Sequence, residues 1–332
     1  MFALFSRLSN RQITLASLVA AGVAAAVANA LIARDTERLN PPSGAFIDVD
    51  GVRLHYVERG FGEPLVLLHG NGVTLDDLDA SGLMAAAATR YRVIAFDRPG
   101  FGHSSRPRTT VWTAAAQAEL LRKALLQLGV SRCLLFGHSW GACVAVRLAA
   151  DHPEAVSGLV LASGYYFPDF RADAVALGGP AIPVVGDVLR YTVSPLLARL
   201  TWRQMLRNLF APAKIPAKFR AFPRDMALRP SQLRAAAAES MLMIPAAYSA
   251  SERYGALTMP VALVAGEGDR VVDIDKQSRR LHDLIAGSSL RRVKAGGHMV
   301  HHTATAEVMS AIEEVANAAH DAGERLAPRS RA

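Results

Sequence analysis

Hydrophobic positions along the middle of the chain fall in short, nearly continuous runs, at 65–69, 92–96, 133–136, 158–162 and 261–265, and a last strand is expected at 290–293, where Leu290 and Val293 flank two arginines. Runs of four to five apolar residues, rich in Val, Leu and Ile, are the pattern of strands buried on both faces, as in a parallel sheet covered by helices. Between most of them apolar residues recur at helical spacing, over 77–88, 113–128, 140–150, 275–286 and 304–319, with Gly129 as the stop of the second. Two further strands, 46–50 and 52–57, meet at Asp50-Gly51 and predict an antiparallel hairpin. The expectation is an α/β fold with a mostly parallel eight-stranded sheet and helices on both faces.

The alternation breaks between 169 and 256, a stretch rich in Pro, Arg, Met and aromatic residues that follows the sixth strand. It predicts a helical cap over one edge of the sheet. Tyr165, Tyr166, Phe167 and Met241 are candidate pocket residues, with Trp202, Phe210 and Met243 as pocket or lid-packing side chains. Together they predict an apolar site.

Chemistry concentrates at the strand ends. Gly137-His-Ser-Trp-Gly141 stands where the run 133–136 gives way to an Ala-rich helix. A serine in so tight a strand-to-helix turn is held in a strained conformation with its hydroxyl above the sheet edge, and glycines on either side relieve the crowding. Asp269 follows the run 261–265, and His298 follows the strand expected at 290–293 and the loop Ala295-Gly-Gly297. Serine needs an imidazole to take its proton, and a carboxylate must fix the tautomer of that imidazole. Asp273 and Asp169 are the alternative acids. His69, His103 and Asp97 are expected to anchor loops, and His301 and His302 to be neighbours of the site. No metal or cofactor is implied, because the histidine cluster at 298–302 has no carboxylate or cysteine at ligand spacing.

Four ordered blocks carry a resemblance: His69-Gly-Asn-Gly72, Asp97-Arg-Pro-Gly-Phe-Gly-His-Ser104, Gly137 to Gly141, and the loops of Asp269 and His298. From 46 to about 320 the chain resembles the α/β-hydrolase fold superfamily, in particular capped members of the serine esterase, lipase and cofactor-free haloperoxidase kind. The resemblance implies Ser139, Asp269 and His298 as the catalytic residues, with the backbone N–H groups of Asn71 and Trp140 as the oxyanion hole. Asn71 together with Trp140 is also similar to the halide-binding pair of haloalkane dehalogenases. Those enzymes attack with aspartate, and a serine alkyl ether would not be hydrolysed as an alkyl-aspartyl ester is.

The expected activity is cleavage of small-molecule carboxylic esters with apolar groups. Thioester or amide cleavage, perhydrolysis and carbon–carbon bond hydrolysis would use the same residues. A non-catalytic ligand-binding or membrane-partner protein is the alternative from another class.

Length and charge extend the picture at the amino terminus. Residues 13–33 carry no charge over 21 positions, enough to cross a hydrocarbon core of ~30 Å as a helix. Arg7 and Arg11 precede this run, which puts the amino terminus in the cytoplasm and the rest of the chain on the exported side. Cleavage after Ala28-Asn29-Ala30 is the alternative, giving a secreted protein. The expected organisation is a cytoplasmic segment 1–12, an anchor 13–33, a linker 34–45, core 46–168, cap 169–256, core 257–320 and a disordered tail 321–332. The net charge of +8 is concentrated at 190–234, where eight Arg and two Lys face the single acid Asp225. Such a cap could meet an anionic membrane surface, whereas no nucleic-acid module accompanies it. Cys133 and Cys143 are expected to be small apolar fillers without a disulfide.

Overall fold

The computed structural model describes residues 9–169 and 178–326. Eight strands form one sheet: β1 (Ala45–Val49), β2 (Val52–Arg59), β3 (Pro64–Leu68), β4 (Arg92–Phe96), β5 (Cys133–His138), β6 (Val156–Ala162), β7 (Val261–Gly266) and β8 (Ser289–Val293). Their order is β1-β2-β4-β3-β5-β6-β7-β8. The hairpin β1–β2 and the pair β2–β4 are antiparallel, and every other neighbouring pair is parallel. The apolar runs behave as their composition requires: every residue of β5, β6 and β7 is buried.

Helix α1 (Asn10–Leu39) precedes the sheet. One face of the sheet carries α2 (Leu75–Ala80) and α3 (Leu83–Ala87), and the other carries α4 (Ala114–Gln127) and α5 (Trp140–Asp151). In α4 the buried positions Ala114, Gln117, Ala118, Leu121, Ala124 and Leu125 repeat at three and four residues, and the Thr113 hydroxyl caps its first turn by accepting from Ala116 N–H at 3.1 Å. The cap contributes α6 (Val185–Tyr191), α7 (Ser194–Phe210), α8 (Arg224–Ala227) and α9 (Pro230–Ser251) between β6 and β7. Helices α10 (Arg280–Leu284), α11 (Val300–Thr303) and α12 (Thr305–Leu326) complete the chain.

Several expected boundaries move for local reasons. The helix expected over 77–88 is two short ones, because Gly82 adopts φ 79° and ends the run. The stretch expected over 275–286 opens with a wide π-type turn, Asp275–Arg279, before α10. Residues 34–39, expected as linker, continue α1. The helix stops only where the Asn40 side chain donates to Thr36 O at 2.8 Å and Pro41-Pro42 follow. Residues 321–326, expected as disordered, continue α12. Parts of three other expected segments, 1–8, 170–177 and 327–332, lie outside the described residues.

Candidate active site

The carboxyl ends of the parallel strands converge on one edge of the sheet. There β3 is paired to β5 through Leu68 and Gly137, and β5 to β6 through His138 and Ala162. Ser139 sits immediately beyond β5 with φ 52° and ψ −117°, a left-handed conformation that costs a non-glycine residue on the order of 1–3 kcal/mol. The turn is possible because its flanks have no side chains. A Cβ on Gly137 would lie 2.5 Å from Gly141 O, and one on Gly141 would lie 2.4 Å from Leu68 O.

Ser139 Oγ lies 3.0 Å from His298 Nε2, and His298 Nδ1 lies 2.8 Å from Asp269 Oδ2. A carboxylate only accepts, so Nδ1 is the protonated nitrogen and Nε2 is left to accept from the serine hydroxyl. Asp269 Oδ1 is fixed by the N–H groups of Val271 (2.8 Å) and Val272 (3.0 Å). The His298 and Asp269 side chains are almost fully enclosed, while Ser139 is only half-buried and can be reached. The alternative acids are engaged elsewhere: Asp273 caps the turn at Asp275 and Lys276, and Asp169 lies 3.5 Å from Lys276.

The loop His69-Gly70-Asn71 passes against the serine, since a Cβ on Gly70 would stand 3.2 Å from Ser139 Cβ. Among the described residues neither Asn71 N–H nor Trp140 N–H has a hydrogen-bond partner, so two backbone donors remain free beside Ser139. The Asn71 side chain, by contrast, is committed: its Nδ2 donates to Ala236 O and Ser240 Oγ of α9, each at 3.1 Å. The indole Nε1 of Trp140 is buried and unpartnered. Of the side-chain pair similar to a halide site, the Asn71 member is therefore turned to the cap.

Two buried polar groups hold this edge, and neither was evident from sequence spacing. Arg98 donates to His69 O and Gly70 O, both at 2.9 Å, and pairs with Glu239 of α9 at 2.5 and 3.0 Å; Gln117 bonds both partners. The ion pair is fully buried. Arg98 lies in a block already notable for Asp97-Arg-Pro-Gly, but its partner is a lone acid in an alanine-rich helix, distant in sequence.

The second group surrounds Asp77, whose two oxygens accept from His301 Nε2 and His302 Nε2 at 2.8 Å each. The carboxylate that the histidine cluster lacked in sequence is thus supplied by α2. Burial pushes the Asp77 carboxyl up, and the contacts with His301 and then His302 outweigh it, leaving it well below the usual range. The His138 ring packs on that of His301 at 4.3 Å, and its Nε2 donates to His298 O at 3.0 Å. Burial pushes both His138 and His301 below the ordinary imidazole range. Asp77, His138 and His301 bring donor atoms within 4.8 Å of one another, as a metal site would. Both Asp77 oxygens accept from imidazole N–H groups, and Nδ1 of His138, His301 and His302 is buried with no partner among the described residues.

The loop anchors are placed as expected. His69 Nδ1 donates to Gly70 O and its Nε2 accepts from Arg98 N–H, and burial lowers its pKa to about 3. Asp97 accepts from His55 and from the N–H groups of Leu75 and His103. Tyr165, Tyr166 and Phe167 are buried in the main core cluster, with Phe167 under Arg280 at 4.0 Å. Trp202 and Phe210 belong to a separate cap cluster that reaches Val73, two residues after Asn71, and Met299, the residue after His298. Met241 is a correction: it is 55% exposed, because one helical step beyond buried Ser240 turns it to the outside of α9.

The cap's positive charge is also smaller than counted. Arg190 pairs with Asp187, Arg199 reaches Asn29 and Asp225, and Arg229 pairs with Glu37. Arg203, Arg207, Lys214 and Arg220 remain on the surface.

Residues 63–305 match the family model described as the α/β hydrolase fold. Among relatives, haloalkane dehalogenase 2 of Mycobacterium tuberculosis is 28% identical over 180 residues, 54% of this chain and 57% of its own length. The chain thus spans a little over half of that relative. A solved bacterial membrane phospholipase A, described as a virulence factor, is 25% identical with a TM-score of 0.63, covering 92% of this chain and 98% of its own. A thermophilic esterase from Thermogutta terrifontis shares the fold at 21% identity and TM-score 0.66, covering 83% of this chain and 100% of its own.

Proposed function

This chain belongs to the α/β hydrolase fold family and is a hydrolase, and from that premise we propose that it cleaves carboxylic esters with apolar acyl or alkyl groups through an acyl-enzyme on Ser139. The observation that carries the reading is the relay from Ser139 Oγ through His298 to Asp269. His298 Nε2 takes the serine proton as Oγ attacks the carbonyl, and Asp269 stabilises the imidazolium that forms. The developing oxyanion is held by the free N–H groups of Asn71 and Trp140, donors in place before the charge appears. The protonated His298 then gives its proton to the leaving alcohol. Water, deprotonated in turn by His298, releases the acid and restores Ser139. Tyr165, Tyr166 and Phe167 supply the apolar wall at the end of β6.

Dehalogenation is disfavoured on two counts. Serine would form a stable ether, and the Asn71 carboxamide is spent on α9.

We read α1 as an uncleaved anchor with the hydrolase on the exported side. Its helix is unbroken through Ala28-Asn29-Ala30, and Asn29 Nδ2 donates to Tyr191 O of the cap at 2.9 Å, which supports retention over cleavage. The test of the chemistry is Ser139→Ala in the full chain. Hydrolysis of a short p-nitrophenyl ester is expected to fall at least about a thousandfold and fluorophosphonate labelling to vanish; an unchanged rate overturns the assignment.

A further inference from the structure

Helix α6 of the cap lies against the apolar part of α1, and most side chains around their groove are hydrophobic, with Asp187 and Thr192 as exceptions. A groove of about 570 Å³ runs between them, with Leu18, Val19 and Val23 on α1 facing Val188 and Tyr191 on α6. Farther along, Asn29 bonds Tyr191 O and Thr192 O, and Arg199 bonds Asn29 Oδ1 at 3.2 Å. At 1.5 Å per residue, contacts from Leu18 to Asn29 lie about 6 to 22 Å from the Ala33 end of the uncharged run. That run is the one helix among the described residues long and apolar enough to cross a bilayer. Whatever surrounds α1 over that depth must also surround α6.

The cap is built for such surroundings. Val184, Val185, Val188, Leu196, Leu197 and Leu200 are each more than half exposed. The charges in this stretch are matched: Asp187 pairs with Arg108 and Arg190, and Arg199 with Asn29 and Asp225. Along α7 the outer face changes character, from Leu196, Leu197 and Leu200 in the first turns to Arg203, Gln204 and Arg207 in the later ones. A helix leaving hydrocarbon for a headgroup layer has this polarity. In water the same patch would be a large exposed apolar surface, which a monomer seldom carries without a partner.

We propose that residues 182–200 of the cap are sunk in the hydrocarbon core of the bilayer beside α1, so that anchor and cap form one membrane-embedded face and the ester substrate is drawn from the membrane. Helix α7 then connects lipid to chemistry. Its first turns face the acyl chains, and Leu209 near its end accepts from His298 N–H at 2.9 Å. The inference rests on α1 being a membrane anchor.

The experiment uses the full chain bearing a single environment-sensitive NBD label at Val188→Cys or Leu196→Cys, with Leu126→Cys on exposed α4 as reference. Cys133 and Cys143 are buried, and burial pushes both thiols up to about 12, so the introduced thiol reacts selectively. Each protein is reconstituted in phosphatidylcholine–phosphatidylglycerol vesicles with and without doxyl-labelled acyl chains. The expected result is blue-shifted emission with several-fold stronger doxyl quenching at Val188 and Leu196 than at Leu126. Vesicles that float with the protein while both cap labels stay as wet as the reference overturn the embedded cap and leave the anchor standing. Protein that does not float overturns the anchor and the cap proposal with it. A blue shift without lipid quenching that is lost on dilution assigns the face to a second copy and overturns the proposal. Hydrolysis of a soluble p-nitrophenyl ester, measured on the same samples, reports the Ser139 chemistry separately.

Discussion

The sheet edge under Ser139 and the outer side of the cap are opposite solutions to exposure. At the sheet edge polar groups are taken out of water and many are tied: Arg98 to Glu239 and two carbonyls, Asp77 to two imidazoles, His69 to Gly70 and Arg98. On the cap, apolar groups from Val184 to Leu200 are left outside without such ties. The first arrangement fixes atoms in place, as proton transfer requires. The second fixes little and instead sets which solvent the molecule prefers. Position is held by buried hydrogen bonds, and location by exposed carbon.

The sharpest way to break the contrast is Glu239→Ala. Removing one partner leaves Arg98 buried with an uncompensated charge, and a loss of about 3–5 kcal/mol is expected in denaturant unfolding of the full chain in detergent. The double variant Arg98→Met, Glu239→Leu is expected to regain part of that stability. It should still lose esterase rate, because His69 O and Gly70 O lose their donors and the Asn71 loop is freed. Equal stability of wild type and Glu239→Ala would place the site's rigidity elsewhere.

A smaller effect comes from pH. His69 is neutral when folded, with its pKa depressed to about 3, and unfolding lets it rise towards the ordinary value of about 6.5. Between those limits the unfolded chain binds the extra proton, so stability is present above pH ~6.5 and falls as pH drops, by about 1.4 kcal/mol per unit. His138 and His301, depressed by burial, act in the same direction. His69→Gln is expected to flatten the dependence by close to one proton, measured as the slope of unfolding free energy between pH 6 and 4, at ordinary buffer spacing. An unchanged slope would mean that His69 does not stay neutral.

The smallest change sharpens the other half of the comparison. Leu200→Ala on the outer face of α7 is expected to alter unfolding free energy in detergent by less than about 0.5 kcal/mol, since that side chain is 71% exposed. A large loss would show that the cap's outer face packs against protein.

Much of this molecule follows from local sequence. Strands buried on both faces announce themselves, because a parallel sheet needs unbroken apolar runs such as 261–265. The nucleophile turn is only half local: Gly137 is crowded by Gly141 O within the motif, whereas Gly141 is crowded by Leu68 O of β3, far away in sequence. Position at strand ends, in the order that the α/β-hydrolase resemblance implies, nominated Ser139, Asp269 and His298 as neighbours. Helix ends were less legible. Residues 34–39 look like a charged linker, and they remain helical in a structure where Glu37 meets Arg229.

What tertiary structure alone decided is which polar groups find each other. Asp77 is an ordinary first-turn acid of a short helix until folding places it 2.8 Å from both His301 and His302, more than 200 positions away. Glu239 is one acid among alanines until it meets Arg98 across the cap seam. The ten cations at 190–234 look like a basic face, yet four of them turn out to have partners on α1, α6 or α8. Periodicity records how a segment divides itself between carbon and water, and is written within a few turns of chain. Pairing depends on contacts closed by long loops, for which neighbouring residues leave no trace.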